Sequence, residues 1–372
     1  MQKDVIDYFM QLISIDSESL NERAMIDTLT RDLQELGAST FEDTCHHNTG
    51  GNAGNLFATI PGSINKPPIL LCAHVDTVKP GNGIKAVIED GVIHSDGTTI
   101  LGSDDKSGIA EIMIALKRIK ESGKAHAPVE VLFTISEEIG LLGAKGFDKS
   151  RLKSAFGYAL DSHRVGELVI GAPSQNSFKM IIHGREAHAG VEPEKGLNAI
   201  RIASQAISAM PLGRIDFETT CNIGIIQGGD ATNIVPNKVT IRGEARSHNP
   251  EKLEKISAEI RQAFESTVQR YASEGASLEF ICKTEYNSYR AKEDDPVVQL
   301  ASKALRKLEI EPRPVVGGGG SDANIIAATG LPMIITGTGM DKVHTVHESI
   351  EIDQLIKGTR FIEELILTYS EE

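Results

Sequence analysis

Cysteine is scarce in this chain of 372 residues: there are four, at positions 45, 72, 221 and 282, and no Cys-x-x-Cys. A disulfide framework of the secreted kind would be denser, so none is expected. No apolar run approaches the ~20 residues that a membrane-spanning helix needs, so no membrane partner is expected. The opening Met1-Gln2-Lys3-Asp4 is charged and lacks the apolar segment of a secretory leader, which points to the cytoplasm. Basic residues are outnumbered, 38 Lys plus Arg against 52 Asp plus Glu, for a formal net charge of −14. Such a field repels phosphate backbones, and nucleic acid is not expected as a partner. Internal repeats are absent, and the one low-complexity tract is Gly317 to Gly320.

What remains is an ordinary globular balance, 40% hydrophobic and 24% charged, at a length that suits two domains better than one. Four short apolar runs, Pro68 to Ala73, Val129 to Ile135, Phe156 to Leu160 and Leu331 to Thr336, are continuous rather than alternating. Strands of a mainly parallel sheet, covered on both faces, have that pattern. Helical periodicity separates them, as where Ile109, Ile112, Leu116 and Ile119 share a face. Further helices are expected near Ala24 to Leu36 and Val297 to Leu308. The expected class is α/β, a mainly parallel sheet with helices on both faces.

The middle of the chain alternates differently. A strand at Asn176 to His183, a helix at Leu197 to Met210, strands at Cys221 to Gln227 and Lys238 to Ala245, a helix at Pro250 to Tyr271 and a strand at Ser277 to Cys282 give the order β-α-β-β-α-β. That is a ferredoxin-like α+β unit, residues 175–288, inserted in a discontinuous domain of residues 1–174 and 289–372.

Open α/β sheets hold ligands beyond the carboxyl ends of their strands. After the first buried run come His74 and Asp76; after the second, Glu137 and Glu138; after the third, Asp161. Asp104 and Asp105 precede the helix that follows Lys106, and His344 and His347 follow the last run. Taken singly each has an ordinary reading: a capped strand-end histidine, a solvated acidic pair, an Asp at a helix N-cap. Residues two apart in a strand share a face, so Asp76 can orient His74 as partners of metal-binding histidines do. In Glu137-Glu138 one carboxylate could bind metal while the other serves as a general base. One of Asp104 and Asp105 could bridge two cations while the other caps the helix. Five sites of this chemistry at strand ends are hard to explain as packing. Carboxylates and imidazoles without thiolates suit zinc, cobalt or manganese, and two cations sharing a carboxylate can clamp a hydroxide and polarise a carbonyl.

The segments ILLCAHVDTV, TTILGSDDKSGIAEIM, VLFTISEEIG, ALDSHRVGEL, GREAHAG and VHTVHESIEI, in that order, resemble the di-zinc metallopeptidase family that includes peptidase T, carboxypeptidase G2, succinyl-diaminopimelate desuccinylase and aminoacylase. The stretch from Ser103 to Met113 is most similar to the peptidase T branch. The resemblance implies a zinc-exopeptidase-like catalytic domain and two divalent metals, zinc first, with cobalt or manganese as alternatives. It implies that His74, Asp104 and Asp161 hold one metal and that His344, Asp104 and Glu138 hold the other. Glu137 would be the general base, Asp76 the partner of His74, and the Asp104–Asp105 peptide cis. The insert would be a lid through which the protein forms a homodimer, with His188 reaching a neighbour's site and Asn233 and Arg246 holding substrate.

The sequence departs from that branch at Ser162-His163-Arg164, where glycines are expected, which puts tripeptide specificity in question. The expected activity is release of the N-terminal residue from di- or tripeptides. A carboxypeptidase, amidase or N-deacylase acting on N-acyl amino acids is the alternative, and a non-catalytic dimeric binding protein the remote one. Asp322 and Glu348 are further acids that could meet a substrate amine, whereas His46 and His47 are expected to be surface residues.

Overall fold

The computed structural model describes residues 2–372. It divides into two compact units. The first comprises the chain up to Gly171 with Arg290–Gly317 and Ser321–Glu372, and the second comprises Ala172–Tyr289 with Gly318–Gly320.

The first unit is built on an eight-stranded sheet. Its four central strands run in the order Val129–Thr134, Ile69–His74, Gly157–Ser162, Met333–Gly337, all parallel. Every residue of the first two is buried, so both faces of these strands are covered. The outer strands change direction. Leu56–Ile60 is antiparallel to Val129–Thr134, Ser39–Glu42 is antiparallel to Leu56–Ile60, and Glu167–Val169 is antiparallel to Met333–Gly337. The sheet is therefore mixed, with a parallel centre as expected and antiparallel pairings toward its edges. The four continuous apolar runs are these parallel central strands; the antiparallel strands lie outside them.

The helix Ser103–Ser122 packs on the strands Ile69–His74 and Gly157–Ser162 and against the helices Gln2–Ile13 and Ile352–Glu371. It stops at Gly123, whose φ of 65° suits the left-handed position that glycine adopts without strain. Ile109, Ile112, Leu116 and Ile119 are all buried there, with Met113 and Ile114 also enclosed.

A small antiparallel sheet, in the order Met340–Asp341, Ser349–Glu351, Val92–Ser95, Ala86–Glu89, holds the segment containing His344. Its hairpin turns on Asp90-Gly91, with φ of 49° and 81°, the pairing that two-residue hairpins favour.

The second unit has a five-stranded antiparallel sheet in the order Gly213–Arg214, Thr219–Gly228, Lys238–Ser247, Ser174–His183, Ser277–Tyr286. Asn198 caps the helix Ala199–Ser208 by accepting from the Arg201 amide at 3.0 Å. Asn249 caps Pro250–Gln269, accepting from the Glu251 amide at 2.8 Å. Phe178, Met180, Ile182, Ile241, Ile260 and Phe264 are among its buried core. Among the described residues no helix is long and apolar enough to cross a membrane.

Candidate metal centre

His74 is the last residue of its strand and is buried. Its Nε2 stands 2.9 Å from Asp104 Oδ1. Its Nδ1 lies 3.0 Å from the backbone oxygen of Asp76 and 3.4 Å from Asp76 Oδ1. A ring held at both nitrogens has a fixed orientation. The Asp76 carboxylate itself is fully buried and chiefly engaged elsewhere. It accepts from the amides of Glu137 at 2.8 Å and Glu138 at 3.3 Å, and from Ser19 Oγ at 2.6 Å.

The turn bearing Glu137 and Glu138 is held from a second side. Ser136, at a φ of 51°, donates its amide and hydroxyl to Glu22 Oε1 at 3.1 and 2.8 Å. Glu22 is fully buried and was not singled out by the sequence, where it is one acid among many beside a helix start.

The two aspartates before the long helix divide their tasks. Asp104 and Asp105 have non-helical backbone angles and the peptide between them is cis. Asp105 Oδ1 accepts from the Gly108 amide at 3.3 Å, the contact of an N-cap, and its Oδ2 accepts from the His74 amide at 3.3 Å. Asp104 faces the imidazoles: beside its 2.9 Å approach to His74, its Oδ2 lies 3.3 Å from His344 Nε2. His344 Nε2 is also 2.9 Å from Glu138 Oε1. Potential ligand atoms of His74, Asp104 and Glu138 all lie within 4.8 Å of one another. Asp161, near the end of the strand Gly157–Ser162, senses the charges of Asp104 and Glu138. His347 is exposed, and among the described residues neither it nor His46 and His47 joins such a group.

Burial alone would raise the Asp104 carboxyl, but hydrogen bonds from His344 and His74 overcome it and hold it well below the usual carboxylate range. Burial opposes charge on His74, yet its bonds to Asp104 and Asp76 outweigh this and raise it well above an ordinary histidine. Bonds to Asp104 and then Glu138 push His344 up to about 10. The other acids are frustrated. Burial and then Asp104 push Asp161 up to about 8, and burial raises both Glu138 and, much further, Glu137. Asp322 accepts from Thr134 Oγ1 at one oxygen, while its other oxygen is buried without a partner among the described residues. Burial first pushes it up to about 6.

Five carboxylates thus crowd two imidazoles, and the ion pairs that Asp104 and Glu138 make in the cluster are with those imidazoles. Divalent cations would relieve this like-charge crowding, and the oxygen and imidazole donors suit zinc, cobalt or manganese. The residues present fit a metal centre.

The remaining expected residues lie in the second unit. His188 pairs across an isolated bridge with Ile234, and the Ala189 amide donates to the Asn233 backbone oxygen at 2.9 Å, so His188 and Asn233 sit on adjoining loops. Arg246, on the strand Lys238–Ser247, donates from Nε to Glu244 Oε1 at 2.9 Å.

The sequence profile described as Peptidase family M20/M25/M40 matches residues 70–368. The structure of the aminopeptidase PepT from Bacillus cereus ATCC 10987 is 43% identical, with a TM-score of 0.89, covering 99% of this chain and 98% of that one. A tripeptidase structure from Staphylococcus aureus is 37% identical at a TM-score of 0.94, covering 100% and 99%. Peptidase T of Geobacillus sp. (strain WCH70) is 26% identical over 422 residues, spanning both chains fully.

Proposed function

The chain belongs to Peptidase family M20/M25/M40, and from that premise we propose that it is a metal-dependent exopeptidase releasing the N-terminal residue of short peptides. The observation that carries the reading is Asp104 standing between two imidazoles, 2.9 Å from His74 and 3.3 Å from His344, with Glu138 at 2.9 Å from the latter. Its relatives named PepT, tripeptidase and Peptidase T support the substrate class.

In this reading His74, Asp104 and Asp161 hold one divalent cation, and His344, Asp104 and Glu138 hold a second, zinc being the first choice. Such a pair supplies Lewis acidity, which lowers the pKa of water and polarises a carbonyl. The protein residues supply the rest. Glu137, whose carboxyl is raised by burial and neighbouring acids, takes the proton from the attacking water and returns it to the departing amine. Asp76 fixes where Glu137 starts, and Asp105 fixes where the helix behind Asp104 begins.

The second unit serves as the lid and as the contact of a homodimer, with His188 directed to the partner's site and Asn233 and Arg246 holding the substrate backbone or carboxylate. Exposed Leu212, Ile215 and Phe217 on that unit support a covered surface there. Four free cysteines are consistent with a reducing cytoplasm.

The test compares a tripeptide with its N-acetylated form on metal-loaded protein. Free peptide should exceed the blocked one by more than about tenfold in kcat/KM, because acetylation removes a charge that the acidic site attracts. Faster cleavage of the blocked form would replace the aminopeptidase reading with a deacylase or carboxypeptidase.

A further inference from the structure

Glu348 is 1% exposed, although it lies only four residues after the exposed His344. All the donors to its carboxylate come from one short segment. Oε2 accepts from the amides of Leu101 at 2.8 Å and Gly102 at 2.9 Å. Oε1 accepts from Ser103 Oγ at 2.6 Å and from the Asp104 amide at 3.0 Å. Gly102, at a φ of 76°, has the left-handed turn that lets successive amides point to one side, an arrangement that favours an anion. A carboxylate offers about four acceptor sites, and here all are filled. Glu348 is therefore closed to a substrate amine, contrary to one expectation from the sequence.

Its backbone is held as firmly. The Glu348 amide donates to Thr345 at 3.2 Å, and its carbonyl accepts from the Ser95 amide at 3.2 Å. Ser349 then pairs with His94 in the small sheet. One buried side chain thus joins the loop that ends in Asp104 to the loop that carries His344, across more than 240 residues of sequence.

We infer that Glu348 is a positioning residue, setting the Asp104 carboxylate against His344 so that the two can share a cation. The inference rests on the metal reading above and adds a residue to it. Four hydrogen bonds to a charged acceptor are strong and directional. Without them the Leu101–Asp104 backbone would keep its chain connections but lose its register toward His344.

The experiment uses the full chain and zinc or cobalt. Glu348→Gln replaces one acceptor oxygen with an amide nitrogen that faces at least one backbone N–H in either orientation, and Ser103→Ala removes a single donor and keeps the charge. Wild type and both variants are compared by circular dichroism, metal content after dialysis, cobalt absorption spectrum, and kcat and KM separately. Glu348→Gln should stay folded, bind the weaker-held cation about 10- to 100-fold less tightly, change the cobalt spectrum and lose kcat with little change in KM. Ser103→Ala should shift the same quantities by a smaller factor in the same direction. Wild-type metal affinity and spectrum in a folded Glu348→Gln would overturn the inference. So would an unchanged Ser103→Ala if Glu348→Gln fails to fold. Wild-type protein that binds no divalent cation would instead sink the metal reading on which the inference rests.

Discussion

Asp76 Oδ1 accepts a hydrogen bond from the backbone amide of Glu137 at 2.8 Å, while the same oxygen lies 3.4 Å from the Nδ1 of His74. One buried carboxylate therefore sets both an imidazole of the centre and the turn that carries the proposed base.

Asp76→Asn should lower kcat by about 10- to 100-fold with the fold intact, since the amide nitrogen would face a backbone N–H instead of accepting from it. Steady-state kinetics beside a melting curve checks this. Wild-type kcat in the variant would mean that Glu137 is placed by other contacts.

Glu137→Gln should reduce turnover by about a hundredfold or more while metal content and melting temperature stay near wild type. The amide keeps the shape but cannot take a proton. Retained turnover would move the base to another carboxylate.

Glu111 yields a prediction about stability. It is buried in the long helix against Gly358, both its oxygens lack a hydrogen-bond partner among the described residues, and burial, then Asp105, raises it well above the ordinary Glu value of 4.5. The folded state thus holds this proton more tightly than the unfolded chain. Its contribution is fully present below the ordinary Glu value and is lost as pH rises toward the folded value. Glu111→Met should remove that loss, stabilising the protein at pH 8 by about 1–3 kcal/mol and less at pH 4. Denaturant melts at the two pH values check it. Equal effects at both would mean that Glu111 is not protonated in the fold.

Much of this centre was legible because strand ends are where an α/β sheet presents chemistry, and the His, Asp and Glu residues there stand directly after apolar runs. The long helix was legible from Ile109, Ile112, Leu116 and Ile119. What stayed hidden depends on contacts between distant segments. Glu348 is defined by donors more than 240 residues away in the chain, and Glu22, beside its local bond from the Leu20 amide, by Ser136 more than 100 residues away. The small sheet carries a local signal, since Asp90-Gly91 between Ala86–Glu89 and Val92–Ser95 is a hairpin sequence. Strand direction at the edges of the main sheet had no signal in the apolar runs.

The proposed homodimer can be tested by complementation. Mixing Glu137→Gln and His188→Ala chains should restore about a quarter of wild-type activity, because mixed dimers then carry one intact composite site. No recovery after verified subunit exchange would place His188 outside a shared site.

The account turns on Asp104 as the carboxylate shared by two cations. Counting zinc per chain by elemental analysis, after reconstitution and removal of excess metal, tests that directly. About two per chain in the wild type, with Asp104→Ala falling below one while remaining folded, is the predicted result. One or fewer in the wild type, or two retained in Asp104→Ala, would contradict it.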